Sequence, residues 1–216
     1  MSTGGISAIL LAAGESRRMG DSNKLALDVG GVPLLRRTAQ TLLGAPLDEI
    51  VVVLGHRAKA ARSLLAGLPL ELVDNPHYAE GQMTSVHRGM QALQAPCVGV
   101  MVCLADQPLL ESADLEILIR AFVEDCPRSV LVPTYQGRRG NPIILAHRHR
   151  EAILAGDRNL GCKRLIERNP ELVWPYPMAN DHCVFDLDTP EDYSRLVVRI
   201  GQTHQGSARS PALQEA

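Results

Sequence analysis

Three apolar runs of strand length, Ile6–Leu11, Glu49–Leu54 and Cys97–Leu104, constrain this chain more than any other feature. The middle one, EIVVVL, shows almost no polar alternation. A strand of that kind has to be covered on both faces, which is the situation in a parallel sheet with helices on either side. Helical periodicity separates the runs. Pro33 opens a helix through about Leu43, with Leu34, Leu35, Ala39, Leu42 and Leu43 on one face. Ala58–Ala66 and Met83–Leu93 also read as helices, with Leu70–Val73 as a short strand before the Asn75-Pro76 break. Repeated strand–helix units imply an α/β fold with a mostly parallel sheet, and such sheets bind ligands at the carboxyl ends of their strands.

The second half is less regular. A helix is predicted over Ser112–Val123, with Ser112 as N-cap and Ala113-Asp114 in its first turn. Ser129–Pro133 and Asn141–Leu145 read as an antiparallel pair joined through Gln136–Gly140. Helical patterns return near His147–Leu154 and Gly161–Arg168, and Val184–Leu187 reads as the last strand. Thr189, Pro190 and Asp192 then occupy the N-cap, N1 and N3 positions of a terminal helix. Residues 1–201 form one expected domain, and 202–216, small and polar without periodicity, an expected disordered tail.

Composition removes several function classes. A net charge of −2 gives no global attraction to nucleic acid or to an anionic membrane, so any anion site must be local. Aromatic residues at 3% leave no stacking platform for single strands. The five cysteines are odd in number and contain no C-x-x-C, which argues against a disulfide framework or zinc site and fits a reducing cytoplasm. Cys103, inside an apolar run, reads as a small core residue. The first apolar run is too short for a membrane span and lacks the cationic flank of a signal peptide. The seven histidines show no ligand spacing, and His147 and His149 read as surface residues.

Chemistry concentrates at three strand exits. Ile6–Leu11 ends in Ala12, Ala13 and Gly14, followed by Ser16, Arg17, Arg18, Gly20, Ser22 and Lys24. Small residues let backbone N–H groups approach phosphates and the cations neutralise them. Taken alone, the stretch is equally an ordinary strand-to-helix loop, and it matches neither a Walker A loop nor the dinucleotide fingerprint. Asp106, directly after Cys97–Leu104, is either a turn former before Gln107-Pro108 or a ligand for a divalent cation. Asp186 and Asp188 flank Leu187. Asp188, at the strand exit, is the better partner for Asp106 in a two-carboxylate site, with Asp186 the alternative.

The ordered set LAAGESRRMGDSNKL, GQMTSV, CLADQPLL, RGNPIIL and FDLDTPEDY resembles the MobA-like nucleotidyltransferases, and within them the molybdenum cofactor cytidylyltransferase (MocA-type) group. The resemblance spans about Ile6 to Val198. It implies a Rossmann-like three-layer sandwich of the nucleotide-diphospho-sugar transferase type and Mg2+-dependent nucleotidyl transfer. On the same basis Leu11, Ala12, Ala13 and Gly14 line the nucleotide pocket by their backbone. Arg18 and Lys24 contact the triphosphate, Asp106 and Asp188 hold the metal, and Lys24, Arg18 and Asp106 carry catalysis. Gly81, Gln82 and Ser85 either meet base and sugar or, with Thr84, cap a helix. Arg139 and Asn141 match the segment facing the acceptor, where Arg138 or Arg139 meets a pterin phosphate or merely tips a hairpin; Gly156–Gly161 matches a further acceptor loop. Related enzymes that make the guanine dinucleotide have LAGG where this chain has LAAG, so the Ala13 methyl favours CTP by roughly 1–3 kcal/mol.

The implied reaction is CMP transfer from CTP to molybdenum-bound molybdopterin, giving molybdopterin cytosine dinucleotide and diphosphate. The implied partners are CTP, the molybdopterin cofactor, and a client molybdoenzyme or its chaperone, with no nucleic acid and no membrane. Two rivals accompany this reading. One is another nucleotidyltransferase of the same fold, using GTP or another NTP with a sugar, alcohol or phospholactate acceptor. The other is a non-enzymatic carrier of the finished cofactor.

Overall fold

The computed structural model describes residues 4–15, 23–155 and 167–207, the last six as backbone. Strands β1 (Ile6–Ala12), β2 (Leu47–Leu54), β3 (Glu71–Asp74) and β4 (Gly99–Leu104) carry the three apolar runs and the short strand expected between them. They lie parallel in the order β3-β2-β1-β4. β7 (Ile143–Ala146) adds antiparallel to β4 and pairs with β5 (Val130–Tyr135), which carries the short β6 (Arg138–Arg139) and, parallel to it, β8 (Val173–Pro177).

Alternate side chains of the central strands enter two different cores, which makes the architecture a three-layer α/β sandwich. Ala8, Leu10, Val52, Leu54, Met101 and Cys103 pack against α1 (Leu34–Leu43), α2 (Ala58–Leu64) and α4 (Ser112–Asp125). Ile9, Leu11, Val51, Val53, Val100 and Val102 pack against α3 (Gln82–Ala92) and α5 (Arg150–Leu154). The near-continuous apolar character of β2 thus reflects burial on both faces. Cys103 is a core residue, 1% exposed, and burial pushes its thiol pKa far up.

The expectations for Val184–Leu187, Ser112 and His149 need correction. Val184–Leu187 is not a strand: His182–Val184 forms a 3-10 turn, and Leu187 donates its N–H to Asp106 O at 2.9 Å instead of joining a ladder. Val184 and Leu187 are buried by side-chain packing, without strand pairing. The last strand is β8, whose Pro175 and Pro177 read against strand structure but are tolerated beside a single partner. The N-cap of α4 is Glu111, in a capping box with Asp114, while Ser112 Oγ donates to Thr41 O at 2.8 Å. His147–Leu154 is helical as expected, a 3-10 turn followed by α5. His147 is exposed, but His149 is half-buried and pairs with Ser129 Oγ at 2.8 Å.

The terminal helix, α6 (Pro190–Ser207), starts where the sequence places it but continues six residues past Gly201, so residues 202–207 are helical and not part of the disordered tail expected there. Asp192 Oδ2 accepts from Thr189 N at 2.8 Å and from Asp188 N at 3.1 Å, and Asp192 N–H donates back to Thr189 Oγ1. Burial alone would raise the Asp192 pKa, but these bonds, the Thr189 hydroxyl and Arg195 outweigh it and hold the carboxyl at about 2. A depressed carboxyl contributes stability above its unfolded pKa and loses it as pH falls through the folded value. Asp192→Ala should cost about 1–2 kcal/mol in urea unfolding at neutral pH. The gap to wild type should close between about pH 4 and about 2.

Candidate active site

The carboxyl ends of β1 and β4 open side by side, as the paired register Leu11 to Leu104 requires. Ala105 N donates to Leu11 O at 3.2 Å, and the chain turns directly into Asp106. Lys24 arrives on a 3-10 turn, Lys24–Ala26. Leu34 N donating to Leu27 O at 2.9 Å ties the strand after that turn to the start of α1. The Phe185–Asp188 segment arrives from the other end of the chain. Val29, Leu34, Leu187 and Leu196 form a small separate core, and Tyr193 Oη donates to Asp28 O at 2.8 Å. Helix α6 therefore clamps the Lys24 loop and the Asp188 segment together.

At the junction the Lys24 ammonium donates to Asp106 Oδ2 at 2.7 Å and to Asp188 Oδ1 at 2.8 Å. The lysine side chain is only 6% exposed. Burial disfavours its charge, but attraction to Asp106 and Asp188 outweighs burial, and its pKa lies above the ordinary lysine value. Asp186 reaches solvent at the rim, where the crowded cleft and the Asp106 carboxylate push its pKa up. Three carboxylates and one ammonium leave a net charge of −2 when all are ionised.

Gln107, which composition and spacing mark only as part of a turn, is 1% exposed and braces this cluster. Its Nε2 donates to Cys183 O and to Asp186 Oδ1, each at 3.0 Å. A buried amide immediately after a candidate metal ligand was the available signal.

Asp106 Oδ1 is buried with no hydrogen-bond partner among the described residues. A desolvated carboxylate oxygen left unpaired is costly, and a hard divalent cation would satisfy it. The donor set fits Mg2+ on that ground: carboxylate oxygens in a cluster two charges negative, beside a cleft open to substrate oxygens. Among the described residues no group of three or more His, Cys, Asp or Glu side chains is arranged to hold a metal. A cation here would need phosphate or water to complete its shell.

Two adjoining cavities open beside the cluster. One, of about 280 Å3, is lined by Leu11, Ala13, Gly14, Gln82, Ser85 and Asp106, together with Tyr78 and Leu104. The other, about 340 Å3, shares Leu11, Gln82 and Leu104 and adds Arg139 and Asn141 over an apolar floor. The geometry thus gathers most of the expected nucleotide and acceptor residues. Ala12 and Gly81 are exceptions: the Ala12 side chain lies in the core against α1 and α2, and Gly81 lines neither cavity. Arg18 and Gly156–Gly161 lie outside the described residues.

Ala13 is 4% exposed, and its methyl faces Gly55, where an added Cβ would fall 2.8 Å away. Tyr78, which closes that wall, carried no sequence signal. Ser85 Oγ and Thr84 Oγ1 accept from Asn75 Nδ2 at 3.0 and 2.8 Å, and Thr84 donates to carbonyls. Neither hydroxyl caps the N–H groups of α3. A Cβ on Gly140 would lie 2.2 Å from Cys183 O, so glycine lets the acceptor segment press against the turn leading to Asp186.

That turn is anchored by His182 Nδ1 on Asp114 Oδ2 at 2.7 Å, with Asn180 Nδ2 on Asp114 Oδ1 at 2.8 Å. The Asp114 bond holds the His182 pKa above its usual value; the Asp114 carboxyl, despite burial, lies below its own. A raised histidine contributes stability below its unfolded pKa and loses it as pH rises through the folded value. His182→Ala should therefore cost about 1–3 kcal/mol near pH 5.5. Urea unfolding at alkaline pH should show a smaller gap.

Comparison with known proteins identifies the family and the fold. The profile of the MobA-like NTP transferase domain matches residues 8–172. A probable molybdenum cofactor guanylyltransferase of Chloroflexus aggregans is 29% identical over 92% of this chain and 97% of its own. The nicotine blue oxidoreductase of Paenarthrobacter nicotinovorans is 28% identical over 89% and 96%. A Mycobacterium tuberculosis protein solved in complex with manganese superposes with a TM-score of 0.74 at 22% identity, covering 90% of this chain and 98% of its own. No helix among the described residues is long and apolar enough to cross a membrane. The chain belongs to the MobA-like NTP transferase family.

Proposed function

We propose that this protein transfers CMP from CTP to the terminal phosphate of molybdenum-bound molybdopterin, forming molybdopterin cytosine dinucleotide and releasing diphosphate. The observation that carries the reading is the convergence of Lys24, Asp106 and Asp188 beside a cavity walled by the small residues ending β1. Residues 1–201 would act as one catalytic domain.

The acceptor phosphate is a monoester and largely ionised at neutral pH, so the transfer needs no protein base. The difficulty is bringing two anions together. Lys24 would meet the triphosphate as a fixed positive charge at the cleft, joined by Arg18. The Leu11–Gly14 backbone would take the nucleotide, Gln82 and Ser85 its base and sugar, and Arg139 and Asn141 the acceptor in the apolar-floored cavity. Gln107 would keep Asp186 and the turn before it in place. Asp106 and Asp188 would hold Mg2+, which supplies charge neutralisation at the phosphate oxygens as diphosphate leaves.

Ala13, a lining residue with its methyl in the wall, supports the smaller base over guanine. The GTP reading draws on the Chloroflexus relative, a probable molybdenum cofactor guanylyltransferase. A pure carrier would have no use for the Lys24 cluster. The free cysteines Cys97, Cys103, Cys126 and Cys183 support a reducing cytoplasm, where the product would pass to a client molybdoenzyme or its chaperone.

Diphosphate release with each of ATP, CTP, GTP and UTP, with and without molybdenum cofactor, tests the proposal. CTP with cofactor should give the dominant signal, and Lys24→Ala and Asp106→Ala should each lower it by about 10²-fold or more while leaving the fold intact. A preference for GTP would transfer the assignment to guanylyl transfer. Unchanged turnover in either variant would remove that residue from the site.

A further inference from the structure

We propose that Lys24 is a built-in competitor of the divalent cation, occupying the Asp106 and Asp188 carboxylates until a triphosphate draws it away. The inference rests on the reading that these two carboxylates hold the metal. Its observation is separate: one ammonium lies 2.7 Å from Asp106 Oδ2 and 2.8 Å from Asp188 Oδ1, almost wholly enclosed. Mg2+ needs carboxylate oxygens at about 2.0–2.1 Å. Lysine and a divalent cation cannot both sit at full strength on those oxygens, because each favours the carboxylates and repels the other. Asp106 Oδ1, still without a donor, marks the side from which a cation gains a foothold.

The consequence is coupling between two ligands. Without nucleotide, entry of the cation displaces Lys24 from two carboxylates and leaves it, among the described members of the cluster, only Asp186, so metal binds weakly. A triphosphate supplies the anion that receives the released ammonium, so nucleotide and metal bind better together than apart. By linkage the effect is reciprocal. Lys24 would then disfavour idle metal loading as well as contact the nucleotide.

Mn2+ titration followed by electron paramagnetic resonance, on nucleotide-free protein, gives a readout independent of turnover. Lys24→Met should bind Mn2+ about tenfold or more tightly than wild type, because a competing charge is removed. Adding Asp106→Asn in the Lys24→Met background should abolish that gain. Equal or weaker binding by Lys24→Met, with dependence on Asp106 intact, would overturn the inference alone. Binding indifferent to Asp106 would overturn the metal-site reading and this inference with it.

A measurement on the wild-type chain covers a Lys24→Met variant that fails to fold. The sequence has only three lysines, Lys24, Lys59 and Lys163, so amine labelling is readily resolved by peptide mass spectrometry. Lys59 is exposed and serves as the reference. Saturating Mn2+ should raise Lys24 labelling several-fold relative to Lys59; unchanged or reduced labelling would contradict displacement.

Discussion

The bridge from the Lys24 ammonium to Asp106 and Asp188 is the contact on which the site depends. It joins residues 82 and 164 positions apart in the chain, at the mouth of a cleft where isolated charges would be costly. The enclosed Lys24 ammonium keeps its charge because both carboxylates face it. Everything nearby orients them. β4 delivers Asp106, the Gln107 amide braces Asp186, and α6 packs Leu196 against Leu187 and Val29 on either side. The parallel sheet sets the cleft; these few polar bonds set its chemistry.

Much of this was legible in residues alone, for a physical reason. Buried parallel strands leave long apolar runs, and a carboxylate directly after one demands a partner, which made Asp106 visible. The Thr189–Asp192 capping box is a purely local device, so its spacing sufficed to place the start of α6. The features that escaped depend on contacts distant in sequence. β8 exists because β5 offers it a pairing edge, although its prolines speak against a strand. Asp186 and Asp188 are held by Gln107, Lys24 and α6, not by strand pleating. Tyr78 and Gly55 form the wall beside Ala13 only once β1 and β2 lie in register.

In the proposed reaction that wall would bear on base selection. The Ala13 methyl is directed at Gly55, and Ala13 and Tyr78 both line the cavity. A single methyl is a modest discriminator, on the order of 1–3 kcal/mol. The neighbouring cavity sets Arg139 and Asn141 over Val102, Val132 and Ile143; in the proposed reaction the polar pair would meet the anionic group of the acceptor and the apolar floor its ring.

The central claim is that Asp106 and a triphosphate meet at one divalent cation beside Lys24. Pulsed electron paramagnetic resonance on Mn2+-loaded protein carrying 13C-carboxyl aspartate, with a non-hydrolysable CTP analogue, tests it directly. The account predicts both 13C coupling from aspartate and 31P coupling from the analogue on the same ion, with a 13C contribution lost in Asp106→Asn. Phosphorus coupling with no carboxylate signal, unchanged in Asp106→Asn, would contradict it.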